Sequence, residues 1–167
     1  ISLLPKKDKD LTSLNNWRPI SLLNIDYKIT SKAIANRMKN VLNKLINDSQ
    51  TGFLKGRYIG ENIRTISEVI EHLNDEDKPG LLFFADFAKA FDSIDHVFIF
   101  KVLTYFNFGP SFTKWIKLFY NDAQTCVINN GYMSDFFKVR RGVRQGCPLS
   151  PYLFILAIEI LYKSIHN

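Results

Sequence analysis

The stretch Leu81-Leu-Phe-Phe-Ala-Asp-Phe-Ala-Lys-Ala-Phe-Asp92 decides how this chain is read. Leu81, Leu82, Phe83, Phe84 and Ala85 form an unbroken apolar run that ends on a carboxylate, Asp86. A continuous apolar run bounded by turn signals, here Pro79-Gly80, is the pattern of a strand buried on both faces. The sequence therefore predicts a strand over residues 81–85 with Asp86 at its carboxyl end. A carboxylate at the rim of a sheet can meet magnesium, which takes oxygen ligands. Five residues beyond Asp86, the ring of Phe91 could lie flat beside a sugar. Asp92 and Asp95 flank Ser93 and are expected to cap helix starts, where acidic side chains are favoured.

Outward from that stretch, helical and strand patterns mix. Residues 1–4 predict a short strand leading into a polar turn over 6–16. Asp26 is expected to cap a helix running to about residue 46, with Ile29, Ala33, Ile34, Met38, Val41, Leu42 and Leu45 on one stripe. Residues 47–60, with Gly52, Gly56 and Gly60, read as a long loop. A second amphipathic helix is expected over 61–73, and a charged segment then stops at Pro79-Gly80. Downstream, Asp95 opens a helix, Gly109-Pro110 breaks it, and another helix covers 111–120. Residues 124–128 and 136–139 predict strands paired across the Asn129-Asn130-Gly131 turn. A last helix spans 150–165. This order is α+β, not a repeating strand–helix–strand unit.

A chain of 167 residues with 46% hydrophobic content suits one domain, or two small lobes sharing a core. The net charge of +6 is uneven: residues 1–60 carry +7 and residues 61–167 carry −1. A basic front half suits a phosphate-rich partner, although a solvated lysine-rich surface has the same composition. The chain starts at Ile1 without an initiator Met and stops directly after a helical pattern, so it is expected to be a fragment of a longer protein. No basic segment followed by an apolar stretch and cleavage site opens these residues, so secretion is not expected. Its most apolar stretch, 153–161, is too short to span a bilayer and contains Glu159, so a soluble intracellular segment is expected. Cys126 and Cys147 match no zinc or redox spacing, and His72, His96 and His166 stand singly.

A second string is more specific than its charges: Arg144-Gln-Gly-Cys-Pro-Leu-Ser-Pro-Tyr-Leu-Phe154. Gly142, Gly146 and Pro148 impose an irregular backbone, and Lys138, Arg140, Arg141 and Arg144 place four cations within seven residues. Such a loop can approach a nucleic-acid backbone closely. Two further segments complete the set, Trp17-Arg-Pro-Ile-Ser21 and Gln50-Thr-Gly-Phe-Leu-Lys-Gly-Arg57. Together these strings, in this order, resemble the reverse transcriptase of LINE-type (non-LTR) retrotransposons.

The resemblance covers nearly the whole chain and implies right-hand polymerase fingers over about 1–80 and part of the palm over about 81–167. It implies that Asp86 is the first metal-binding carboxylate, with the Phe87 backbone carbonyl beside it in the shell of Mg2+, or of Mn2+. Phe91 corresponds to the gate against ribonucleotides. Gln145 and Gly146 correspond to residues lining the dNTP pocket. Arg18 corresponds to the arginine that clamps the triphosphate, and Lys6, with Lys7 as an alternative, to a lysine reaching the same phosphates. Phe53, Lys55 and Arg57 would meet the template, and Arg140, Arg141 and Arg144 the nucleic-acid backbone. Asp86, Phe91, Gln145 and Arg18 are accordingly expected to share one cleft. The implied partners are an RNA template, a DNA primer or target and dNTPs, with no membrane. The parent element would act in the nucleus and cytoplasm.

The family's catalytic centre also needs an aromatic-Ala-Asp-Asp hairpin, and no Asp-Asp occurs in this sequence. Two-metal phosphoryl transfer places two ions about 3.5–4 Å apart around the attacking and leaving oxygens. With Asp86 alone the isolated chain is expected to be inactive, and the unpaired apolar strand edge to invite aggregation. A non-catalytic nucleic-acid-binding remnant of a retrotransposon and a group II intron or retron-type enzyme are the alternatives.

Overall fold

The structure is a computed structural model that describes residues 1–166. Its frame is four helices: α1 (Ile25–Leu45), α4 (His96–Tyr105), α5 (Pro110–Tyr120) and α6 (Ser150–His166). The apolar stripe of α1 turns Ile34, Ala35, Met38 and Leu42 inward, where they join Val102 and Leu103 of α4, Ile116 of α5 and Leu153 and Leu156 of α6. The other helices are α2 (Gly60–Asp75) and α3 (Ala90–Ser93). The strands are all short: β1 (Ser2–Pro5), β2 (Trp17–Ile20), β3 (Gln124–Thr125), β4 (Ile128–Asn129), β5 (Tyr132–Met133) and β6 (Phe137–Lys138). They form a four-stranded sheet in the order β2-β1-β4-β5 and a two-stranded ribbon of β3 with β6. The architecture is α+β, as the element order predicts.

Helix ends follow local chemistry. Asp95 caps α4, its Oδ1 accepting from the backbone N–H of Val97 and Phe98 at 2.8 and 3.3 Å. Pro110, expected only to end one helix, also begins the next, in the first-turn position where its missing N–H costs nothing. α1 starts one residue before Asp26, with Asn24 at the cap position and no side-chain bond there, so the expected Asp26 cap is corrected to a first-turn acid. The β4–β5 hairpin closes on a two-residue Asn130-Gly131 turn, with Ile128 opposite Met133 and Asn129 opposite Tyr132. The flanking strands are shorter than expected, with Gln124 pairing Lys138 and Thr125 pairing Phe137.

The largest departure concerns residues 81–85. They form no strand and pair with no other segment among the described residues. Leu81 is 93% exposed, Phe83 86% and Phe84 74%. A strand buried on both faces needs ladder partners for its amides and layers to cover its side chains. Neither is supplied here, so the run lies irregular in solvent. α2 is amphipathic as predicted, yet none of its residues is buried, and Ile63 and Ile70 face outward.

Candidate functional site

Three separated parts of the chain are laced together around the loop at 140–146. Its backbone is bonded to the segment after Asp86: Val143 N donates to Phe91 O at 2.6 Å, Gly142 N to Ile94 O at 2.7 Å, and His96 N to Arg140 O at 3.2 Å. The buried His96 ring adds a bond between Nε2 and Gly142 O at 2.9 Å, which sets the proton on Nε2 because a carbonyl only accepts. On the other side Ser21 N, just past β2, donates to Gln145 O at 3.1 Å. Gly142 makes this lacing possible. It sits at φ +88°, and a Cβ there would lie 3.0 Å from both Cα and O of Asp92. Gly146 follows at φ +99°, close over Ser21 O.

The cleft that results has a volume of about 240 Å³ and is lined by Pro19, Ser21, Asp92, Gly142, Arg144 and Gln145, among others. Inside it Gln145 Nε2 donates to both carboxylate oxygens of Asp92, at 3.1 and 3.3 Å. Asp92 was expected to be a helix cap. Its carboxylate instead serves a side chain 53 residues away. The structure leaves both groups half-buried, where an amide and a carboxylate each require a polar partner, but nothing in the sequence marks either as buried.

Arg144 faces inward. Its guanidinium carbon lies 4.8 Å from the centre of the Tyr27 ring and 5.7 Å from that of Tyr120, and its Nη1 is buried without a hydrogen-bond partner among the described residues. The expected contact with nucleic-acid phosphate therefore meets a guanidinium already engaged in a cation–π sandwich. Burial is the main reason both phenols are pushed far above the usual tyrosine range, and Arg144 draws each partly back. Tyr120 Oη and Ser150 Oγ, both buried, also lack a hydrogen-bond partner among the described residues.

The remaining predicted residues are dispersed. Phe91 packs inward, stacked on Phe154 of α6 at 4.8 Å and 12°, and Phe53 meets it edge-on at 6.2 Å. Phe53 is itself 57% exposed and has φ +63°. Lys6 Nζ donates to Asn15 O at 2.8 Å, while Lys89, which sequence reasoning passed over, donates to Asn15 Oδ1 at 3.0 Å. Arg18 is exposed on β2, opposite Leu4. Asp86 and Phe87 are exposed in the unpaired segment. Lys55 and Arg140 are exposed, and Arg141 lies 3.8 Å from Asp95. The single cleft expected for Asp86, Phe91, Gln145 and Arg18 is not formed: only Gln145 lines it.

Arg57 corrects a prediction outright. Instead of facing template, its guanidinium donates to the carbonyls of Asn43, Ile46, Asn47 and Gln50 and to Asp48 Oδ1. Its side chain is only 13% exposed. The last carbonyls of a helix lack intrahelical donors, and a planar five-donor group satisfies several at once.

The sequence pattern of the family described as "Reverse transcriptase (RNA-dependent DNA polymerase)" matches residues 4–167. The chain belongs to the reverse transcriptase family. It is 42% identical over 160 residues to the Transposon TX1 uncharacterized 149 kDa protein of Xenopus laevis, covering 95% of this chain and 12% of that protein. It is 30% identical over 159 residues to the RNA-directed DNA polymerase from mobile element jockey of Drosophila melanogaster, covering 92% and 17%. A third relative, the Pol polyprotein from the type-2 retrotransposable element R2DM of the same fly, is 28% identical over 150 residues, covering 90% and 14%. The chain thus spans less than a fifth of the length of these three relatives, which come from non-LTR retrotransposons.

Reverse transcriptases work with divalent metal ions. The Asp86 carboxylate and Phe87 carbonyl are oxygen donors of the type a hard cation takes. Their number does not suffice: no three His, Cys, Asp or Glu side chains gather into a metal-holding group among the described residues. No described helix is long and apolar enough to cross a membrane.

Proposed function

We propose that the chain acts as part of an RNA-directed DNA polymerase that extends a DNA primer 3′-hydroxyl with dNTPs on a retrotransposon RNA template. The observation that carries this reading is the junction of Ser21, Asp92 and Gln145, where three family strings separated in sequence meet at one cleft. In this reading Gln145 and Gly146 line the nucleotide pocket, and Arg18 and Lys6 reach the triphosphate. Phe91 excludes the 2′-hydroxyl, its ring held by Phe154 and Phe53. Residues of about 1–80 serve as fingers and 81–167 as part of the palm. Exposed Phe53, Lys55, Arg140 and Arg141 contact nucleic acid. Asp86 and the Phe87 carbonyl contribute to binding Mg2+ or Mn2+, in a two-metal reaction whose other ligands are not among the described residues. Neutralising charge and positioning the phosphoryl group are nearly the whole of such catalysis.

The test is steady-state insertion of one dNTP by the full-length protein on an RNA template. Gln145→Ala is expected to raise KM for dNTP about tenfold, and Phe91→Ala to admit ribonucleotides. Unchanged kinetics in both variants would remove the assignment. The 167-residue chain by itself is expected to yield no extended primer with magnesium, because one carboxylate cannot hold the ions. Template-dependent product from it would overturn that. A second reading, a non-catalytic nucleic-acid-binding module, is favoured by one observation: Asp86 is exposed and makes no hydrogen bond or ion pair among the described residues, while Arg18, Lys55 and Arg140 are exposed elsewhere on the surface. Retained RNA binding without insertion by the full-length protein would select it.

A further inference from the structure

We propose that Asp92 is a positioning residue that fixes the orientation of the Gln145 side-chain amide. Resting on the reading of Gln145 as a nucleotide-pocket residue, the inference deepens it by naming what sets that residue's hydrogen-bonding character. Both backbones are held before their side chains meet. Asp92 N donates to Lys89 O at 2.8 Å, and the neighbouring Phe91 O accepts from Val143 N. Gly142 lies so close to the Asp92 backbone that a Cβ there would sit 3.0 Å from its Cα and O, tighter than ordinary contact. Gln145 is fixed through its carbonyl by Ser21 N. The contact is therefore made between two anchored groups, not between two free surface side chains.

The chemistry of the pair determines its direction. An ionised carboxylate only accepts, so the amide must turn Nε2 toward it, as the 3.1 and 3.3 Å distances to the two oxygens require. Oε1, on the opposite side of the planar amide, then points away from Asp92. A glutamine without this partner could flip and offer N–H groups or oxygen in the same direction with little difference in shape. With Asp92 it offers one acceptor in a defined place. The amide of Gln145 thus suits a donor on its ligand, a hydroxyl or an exocyclic amino group. Asp92 does this without touching the ligand.

The test uses the full-length protein and reads KM for dNTP against kcat in single-nucleotide insertion. Gln145→Ala establishes first whether Gln145 serves the nucleotide; an unchanged KM there would sink the pocket assignment itself. Given a raised KM, Asp92→Ala is expected to raise KM by a similar factor, about tenfold, with kcat changed less than threefold. The double variant is expected to be no worse than Gln145→Ala alone. Asp92→Asn, which can present either oxygen or N–H groups to Gln145, no longer dictates one direction and is expected to fall between the parent and Asp92→Ala. Additive losses, or equal falls in kcat and stability, would mean a structural role only. A polarity swap covers the case in which Asp92→Ala does not fold. Gln145→Glu opposes two carboxylates and is expected to lose activity. Adding Asp92→Asn restores a donor–acceptor pair with its direction reversed, and should recover at least tenfold of that loss. No recovery would overturn the proposal.

Discussion

Arg57 and Gly142 show how a residue chosen for one role can be recruited by the backbone. Arg57 carries a formal charge in a basic, glycine-containing loop, and those features alone suggest phosphate. Its fork instead closes the end of α1 by bonding four carbonyls and Asp48. Hydrogen bonds from a charged donor contribute about 1.5–3 kcal/mol each, and losing several together is not additive. Arg57→Ala is expected to lower the unfolding free energy by about 2–4 kcal/mol in urea titration, and Arg57→Lys not to restore it, because a point charge cannot span the carbonyls. The salt dependence of RNA binding by the folded variant should keep the slope of the parent; a slope reduced by roughly one unit would return Arg57 to the interface. Gly142 can be separated from a glycine that needs only its φ. At Gly56, φ is +83° and a Cβ would meet nothing within 4 Å, whereas at Gly142 it would strike the Asp92 backbone. Gly56→Ala is expected to cost about 1–2 kcal/mol, the left-handed penalty alone. Gly142→Ala should cost more than that and weaken dNTP binding as the loop moves off Asp92. Equal costs in denaturant titration would mean that the close approach carries no strain.

At the scale of elements, the helices were legible and the contacts between distant segments were not. The stripe predicts α1 and, at Ile34, Met38 and Leu42, the face it buries, because a 3.6-residue period is a local property; Ile29, Ala33 and Val41, expected on the same face, are exposed. Asp95 could be read as a helix start from short-range bonding rules, whereas Pro110, which also starts one, was read only as a break. The Asp92–Gln145 bond spans 53 residues and follows no period, so nothing local announces it. The same holds for the packing of α1, α5 and the 140–146 loop through Tyr27, Arg144 and Tyr120. That junction has a pH signature. Burial raises both phenols above their unfolded value of about 10. Between the unfolded and folded values, the unfolded chain has lost protons that the folded chain still holds, so stability falls as pH rises. The contribution is complete below about pH 10 and declines above it, by up to about 1.4 kcal/mol per pH unit for Tyr120. Tyr120→Phe is expected to flatten that decline in urea midpoints measured from pH 9 to 11.5. At pH 7 it should leave stability unchanged or raise it by about 1 kcal/mol, since the hydroxyl it removes is buried and has no hydrogen-bond partner among the described residues. A parallel decline in both proteins would place the titrating groups elsewhere.

For the whole molecule, the balance between a helical core and an uncovered flank follows from what each type of element requires. α1, α4, α5 and α6 satisfy their own amides and need only one another to bury Leu42, Leu103, Ile116 and Leu156. The run at 81–85 has the composition of a central strand, and the buried strand read from it is not formed. A strand, however, is defined by neighbours, and among the described residues it has none. Family membership therefore does not depend on that strand: it stands on a match over residues 4–167, while the active-site geometry predicted around Asp86 does depend on it. The uncovered flank has a measurable consequence. Leu81, Phe83 and Phe84 project into solvent, and Ile63 and Ile70 of α2 are exposed as well. Exposed apolar surface of this kind promotes association. The 167-residue chain is expected to bind a hydrophobic dye and to self-associate at micromolar concentration in light scattering. Phe83→Ser with Phe84→Ser should suppress both while moving the unfolding free energy by no more than about 0.5 kcal/mol, because neither ring contributes to the core. If the double variant instead lost several kcal/mol, the two rings would be buried, and the run at 81–85 would be covered in solution.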